Sequence, residues 1–167
     1  MPIVHSNPFY HVSQESYTLP SGYSGTYYGI RGLRTAFIVP FVTDNEVVII
    51  KQWRYLFKDY VWEFPAGRID SKEQPLQAAQ RELQEETGYQ AADWKSVGWF
   101  APCNGLSDER TYVFIARQLT PVCQALDDTE DLTVHHLPID DFERMLDNNT
   151  VHDGMTLAAW TLAKTQR

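Results

Sequence analysis

Residues 67–89 read GRIDSKEQPLQAAQRELQEETGY, a pattern that predicts one helix held between two loops. Pro75 is tolerated in a first helical turn, where its missing N–H would have no intrahelical partner anyway. Ser71 with Gln74 resembles a capping box, and Gly88 suits the left-handed position that ends a helix. The helix is therefore expected from Ser71 or Pro75 to Thr87. Leu76, Ala79, Leu83 and Thr87 fall on one stripe, which should face a core. Glu82, Glu85 and Glu86 are spaced i, i+3, i+4 and share a sector roughly 100° wide, away from that stripe. Like charges at this spacing cost roughly a few tenths of a kcal/mol per pair. They also crowd the last turns, where the macrodipole favours a cation. A hard divalent cation would relieve the repulsion, since carboxylates are ligands that Mg²⁺ accepts. The alternative is a solvated acidic face partly neutralised by Arg81.

Working outward, the segments before the helix read as strands. Leu33–Val42 and Glu46–Trp53 are rich in β-branched and aromatic residues and flank the turn composition of Thr43-Asp-Asn45, so a hairpin is expected. Tyr60–Phe64 is a further short strand, stopped by Pro65-Ala-Gly67. After the helix, strands are expected at 94–100, 111–118 and 132–136, then helices at 140–147 and 153–164. Residues 1–30, rich in Tyr, Ser, Gly and Pro, should form short irregular strands as an N-terminal extension. This order predicts an α/β (α+β) fold, a layered α/β/α domain with a mixed sheet, in one domain spanning 1–167.

Composition narrows the function. The chain has 167 residues, 43% hydrophobic and 22% charged, the profile of an ordinary globular protein. Its formal charge of −8 argues against a nucleic-acid partner, although a bound cation would still let it take a small phosphorylated substrate. No apolar run is long enough to span a membrane, and the first residues lack a secretion signal. Cys103 and Cys123 form no disulfide or zinc pattern. A cytoplasmic location is expected. The 13% of aromatic residues either pack a core and a dimer interface or stack on a base.

The stretch from Gly67 resembles the signature of the Nudix hydrolase family, G-x5-E-x7-R-E-U-x-E-E-x-G-U, with U a bulky apolar residue. Gly67, Glu73, Arg81, Glu82, Leu83, Glu85, Glu86 and Gly88 all match in spacing, and Tyr89 departs mildly at the last position. The resemblance implies an α/β/α sandwich with a loop–helix–loop catalytic segment. It also implies Mg²⁺, with Mn²⁺ able to stand in, bridging a pyrophosphate while water attacks one phosphorus. Glu82 and Glu86 would be metal ligands, with Glu85 a ligand or proton acceptor and the Ala66 carbonyl a further ligand. Arg81 would orient the carboxylates with Glu73 as its partner, and Gly67 would let the loop turn tightly.

Gln52-Trp-Arg54 followed by Trp62-Glu-Phe-Pro-Ala-Gly67 is similar to a pattern of ADP-ribose and nucleoside-diphosphate-sugar pyrophosphatases. The likeness implies that Arg54 contacts substrate phosphate, as suits a guanidinium, and adds Glu63 and Arg34 as substrate-binding residues. Pro102–Arg110 resembles that group's loop and puts Glu109 near substrate. The acidic run 127–131 resembles a later loop, making Asp128 a general base, in rivalry with Glu85, and Glu130 a metal ligand. Thr150–Trp160 is like the closing helix of the group. The expected reaction yields a nucleoside monophosphate and a sugar phosphate, and a homodimer is implied by the same likeness. Two departures, Asn104-Gly105 where a Pro is usual and Asp128 where Glu is usual, favour a sugar nucleotide over ADP-ribose. The competing readings are another Nudix substrate, such as a dinucleoside polyphosphate or damaged nucleoside triphosphate, and a non-catalytic ligand sensor.

Overall fold

The structure, a computed structural model, describes residues 2–166. Its centre is β4 (Arg34–Thr43), whose side chains alternate between two buried faces. Phe37, Val39 and Phe41 point to one side, into a cluster with Phe64, Phe142 and Trp160. Ala36 and Ile38 point to the other, against Ala78, Ala79 and Leu83. A strand covered on both faces reads as a continuous apolar run, as this one does.

β5 (Glu46–Arg54) turns back from β4 through Asp44-Asn45, but the two pair only near the turn, at Phe41–Val47 and Thr43–Glu46. Beyond it they part, and two short strands fill the wedge. β6 (Asp59–Glu63) pairs with β5, and β7 (Ala66–Arg68) pairs with β4. The sequence reading stopped the strand at Pro65-Ala-Gly67. Instead the chain changes partner there, because Pro65 has no N–H for a ladder while its carbonyl still accepts from Ile38 N–H at 2.9 Å.

After α1 (Pro75–Thr87) come β8 (Tyr89–Phe100) and β9 (Arg110–Pro121), an antiparallel pair, with β9 lying parallel to β4. β10 (Leu132–Pro138) closes the order β10-β5-β4-β9-β8. Helices α2 (Ile139–Asp147) and α3 (Gly154–Ala163) pack on the Phe37 face and α1 on the Ala36 face. The result is an α/β/α arrangement around a mixed sheet. The N-terminal residues make an antiparallel sheet of β1 (Ile3–Ser6), β2 (His11–Thr18) and β3 (Ser24–Ile30), irregular between β1 and β2, where the register shifts, but unbroken between β2 and β3. Most of their side chains are exposed, so no buried face imposed the alternation that marks a strand in sequence.

α1 starts at Pro75, the later of the two expected positions, and differs from expectation in its cap and on its face. Pro75 forces Gln74 into an extended conformation, φ −84° and ψ 151°, so the helix cannot begin at Ser71. The capping box lies three residues later, with the Gln77 side chain accepting from Gln74 N–H at 2.9 Å. Leu76 is 38% exposed, and the small Ala78 and Ala79 take its place against the sheet. The acidic sector does not face solvent: Glu82 and Glu86 are 8% and 3% exposed. Gly88 ends the helix in the left-handed region, φ 70°, donating to Gln84 carbonyl.

Candidate active site

Arg81 organises the acidic face of α1. Its Nε and Nη2 each donate to the Glu73 carboxylate at 3.1 Å, and Nη2 also donates to the Arg68 carbonyl at 3.0 Å. Nη1 donates to Glu82 Oε1 at 2.7 Å and to Glu85 Oε2 at 2.8 Å. All five guanidinium donors are thereby engaged in a planar fork that no lysine reproduces. Hydrogen bonds to Arg81 hold the Glu73 carboxyl below its ordinary range. One cation thus locks three carboxylates from two turns and a loop into one arrangement.

The five residues 63–67, where β6 gives way to β7, meet these carboxylates from the sheet. Ala66 N–H donates to Glu86 Oε2 at 2.8 Å. Ala66 stands opposite Phe37 between two hydrogen-bonded pairs, so its carbonyl also faces away from β4. Gly67 is not in the left-handed region, which corrects the tight-turn reading. A Cβ there would land on the Glu82 carboxylate, so the glycine is needed for space. Glu63, buried, receives Nε of Arg54 at 2.7 Å and Nη2 in a second short bond. That pairing raises the Arg54 pKa further, and the charges of Glu86 and Asp153 act on the same guanidinium.

Burial pushes the Glu82 carboxyl up to about 7 against the opposing pull of Arg81. Burial, then the charge of Glu82, raises Glu86 well above the ordinary 4.5, with Ala66 N–H opposing. A carboxyl whose folded pKa exceeds its unfolded value binds its proton more tightly when folded. Its stabilisation is therefore complete below 4.5 and is lost as pH rises through 7. Without divalent cation, the Tm should fall between about pH 5 and about pH 8, and cation added at about pH 8 should restore it. Thermal melts in chelator check this. A Tm that climbs over that interval would contradict buried, uncompensated carboxylates.

The remaining sequence-derived residues are distributed unevenly. Trp53 N–H donates to Asp131 carbonyl at 2.8 Å, extending the β5–β10 ladder one step towards Glu130. The Glu130 charge acts on both Glu82 and Glu86, and its carboxylate accepts from Asp127 N–H at 3.0 Å. Asp128 is exposed at the tip of that loop. Arg34 is tied to the loop before α1, donating to the Glu73 carbonyl at 3.0 Å. Glu109 accepts from Thr35 Oγ1 at 2.6 Å and lines a cavity of about 320 Å³ with Tyr27, Trp99 and Arg110. Sequence reasoning overlooked Asp153, the N-cap of α3, whose charge reaches Arg54. An Asp before a Gly and an apolar run was the available signal.

Among the described residues no three acidic, His or Cys side chains converge tightly enough to hold an ion as they stand. The donor set nevertheless fits a hard divalent cation. Two adjacent buried carboxylates, Glu82 on Arg81 and Glu86 on Ala66 N–H, act on each other's charge, Glu130 adds a third negative charge to theirs, and the space a Gly67 Cβ would fill is kept for Glu82. Oxygen ligands on semi-rigid elements are what Mg²⁺ takes.

Comparison with known proteins places the chain in a family. A model of the NUDIX domain matches residues 32–158. The ADP-ribose pyrophosphatase of Bacillus subtilis (strain 168) is 27% identical over 147 residues, 87% of this chain and 80% of the relative. A CMP-5'-(N-acetyl-N-hydroxy-3-aminopropyl)phosphonate hydrolase of Streptomyces rubellomurinus is 28% identical over 158 residues, 93% of this chain and 76% of the relative. A crystal structure of an ADP compounds hydrolase superposes with a TM-score of 0.87 over 99% of this chain and 90% of that one, at 22% identity. With the family model covering well over half its length and the signature residues gathered on α1, β7 and the loop between them, the chain belongs to the NUDIX domain family of hydrolases.

Proposed function

We propose that the protein hydrolyses the pyrophosphate bond of ADP-ribose or a closely related nucleoside diphosphate sugar, with Mg²⁺ bound and Mn²⁺ able to replace it. The observation that carries this reading is the pair of buried carboxylates, Glu82 and Glu86, meeting residues 63–67, with the Glu86 charge reaching Arg54. The nucleoside diphosphate substrate rests on the relatives' names. The two sequence departures at 104–105 and 128 keep sugar nucleotides within the same class. When bound, the cation supplies charge neutralisation for the pyrophosphate and acidifies a water. Glu82, Glu86 and Glu130, with the Ala66 carbonyl, would hold it.

Water adds to one phosphorus while the bridging P–O bond breaks. The products are a nucleoside monophosphate and a phosphorylated remainder. Glu85, held by Arg81, and Asp128, free on its loop, compete to take the proton. Arg34 and Glu109 line the approach, and the cavity beside Glu109 suits one end of the substrate, with Tyr27 and Trp99 offering aromatic faces. We take residues 1–167 to work as one domain in the cytoplasm. The exposed Tyr28 of β3, with Phe9 and Tyr23 in the connections of the N-terminal sheet, suits an interface between two copies. No helix among the described residues is long and apolar enough to cross a membrane.

The deciding experiment is a hydrolysis screen of ADP-ribose, nucleotide sugars, dinucleoside polyphosphates and oxidised nucleoside triphosphates with Mg²⁺, products separated by chromatography. ADP-ribose or a nucleotide sugar should be cleaved with the highest kcat/KM. Cleavage of a dinucleoside polyphosphate or triphosphate alone would move the protein to another substrate class, and saturable binding without cleavage would make it a sensor. Arg54 tests the phosphate contact. Two of its nitrogens are on Glu63, leaving Nη1 for a phosphate oxygen. Arg54→Ala should raise KM about tenfold or more while lowering kcat less. An unchanged KM in steady-state kinetics would remove Arg54 from substrate binding.

A further inference from the structure

We infer that Thr156, on the helix behind the sheet, is a positioning residue that holds the 63–67 segment in register with the carboxylates of α1. The inference rests on the proposed function for its effect on turnover, but not for its geometry. Residues 63–67 carry three contacts that converge on one cleft: Glu63 with Arg54, Ala66 with Glu86, and Gly67 with the space of Glu82. The segment is also where the sheet is interrupted. β6 ends at Glu63 and β7 starts at Ala66, so Phe64 lies between two ladders. Its buried N–H is satisfied from the opposite layer, donating to Thr156 Oγ1 at 3.1 Å.

Thr156 is itself fully buried and fixed from its other side. Its own N–H donates to the Asp153 carboxylate at 2.7 Å, the cap of α3. Asp153 in turn places its charge on Arg54. The first turn of α3 therefore reaches the segment directly, by a hydrogen bond to its backbone, and sets a charge on Arg54, the partner of Glu63. A buried N–H left without an acceptor forces the backbone to shift towards one. Here any shift moves Glu63 and Ala66 together. A displacement of about 1 Å at such a distance from the reacting atoms is enough to lose about a hundredfold in rate. The Thr150–Trp160 stretch thus acquires a role beyond filling the core.

Thr156→Val keeps the shape and removes the acceptor, and Thr156→Ser returns it. Ala159→Gly, a buried position one turn further along α3, serves as a control for general loosening of the helix. Three readouts are compared at matched loss of Tm: Phe64 amide hydrogen exchange, Mn²⁺ affinity by electron paramagnetic resonance, and kcat and KM. In Thr156→Val, Phe64 exchange should accelerate at least about tenfold, Mn²⁺ should bind several-fold more weakly, and kcat should fall about ten- to a hundredfold. Serine should restore all three, and Ala159→Gly should leave them near wild type. Unchanged Phe64 exchange in Thr156→Val, or equal losses in the Ala159→Gly control, overturns the inference. If wild type neither binds Mn²⁺ nor turns over, the proposed function fails. The exchange data and their rescue by serine then still decide the positioning contact.

Discussion

Glu82→Gln and Glu86→Gln should each lower kcat by about a thousandfold or more while leaving the fold intact. Both side chains are buried, so a structural role is the rival explanation, and the two make opposite demands on stability. A carboxylate held out of water without a cation is costly, and the raised pKa of each group expresses that cost. The amide is neutral, nearly isosteric, and at position 86 still accepts from Ala66 N–H. Removing the charge should therefore leave the cation-free Tm at about pH 8 unchanged or raised, by an amount that shrinks as pH falls. The same substitutions should abolish the increase in Tm on adding divalent cation, since the charge that binds it is gone. Steady-state kinetics and paired melts with and without cation check both halves. Normal turnover in both variants would mean that the box is misread. A collapse of the cation-free protein would make the two glutamates scaffold rather than chemistry.

The sequence made the box legible because its spacing is rigid: one helix, one arginine and three glutamates at fixed offsets leave little freedom. The central strand was legible for a related reason, since a strand buried on both faces has only apolar residues to show. Three things were not legible, and each has a tertiary cause. The burial of Glu82 and Glu86 could not be read from a helical wheel. Ala78 and Ala79 let α1 sit close enough to the sheet that the acidic sector meets residues 63–67. The change of partner at Phe64-Pro65 depends on β4 and β5 diverging, a matter of twist rather than of local composition. Glu130 acquires its place through the backbone bond of Asp131 to Trp53, a contact between distant parts of the chain. By contrast Asp128, matched to the family by position, is a loop residue whose setting no local pattern encodes.

Gly67→Ala gives the sharpest separation of function from stability. The backbone at Gly67 lies outside the left-handed region, so alanine meets no conformational strain there. Such a change reduces the freedom of the unfolded chain, a stabilising contribution of roughly 0.4–1 kcal/mol. The new Cβ would nevertheless occupy the position of the Glu82 carboxylate. The backbone of β7 is anchored to β4 through its ladder, whereas the carboxylate is the end of a flexible side chain, so the carboxylate yields. It can move only by leaving Arg81 Nη1, and Glu85 shares that same nitrogen. The displacement therefore disturbs two acidic groups at once. kcat/KM should fall by about a hundredfold, as expected when a catalytic group is misplaced by about 1 Å, with Tm changed by little. Gly88→Ala supplies the opposite case. That glycine has φ 70° and its Cβ would meet the Val122 carbonyl at 3.2 Å. It should lose roughly 1 kcal/mol or more of stability while keeping most of its activity below the melting range. If Gly67→Ala instead retains activity within about threefold of wild type, Glu82 has a second productive position and the space above Gly67 is not what holds it in place.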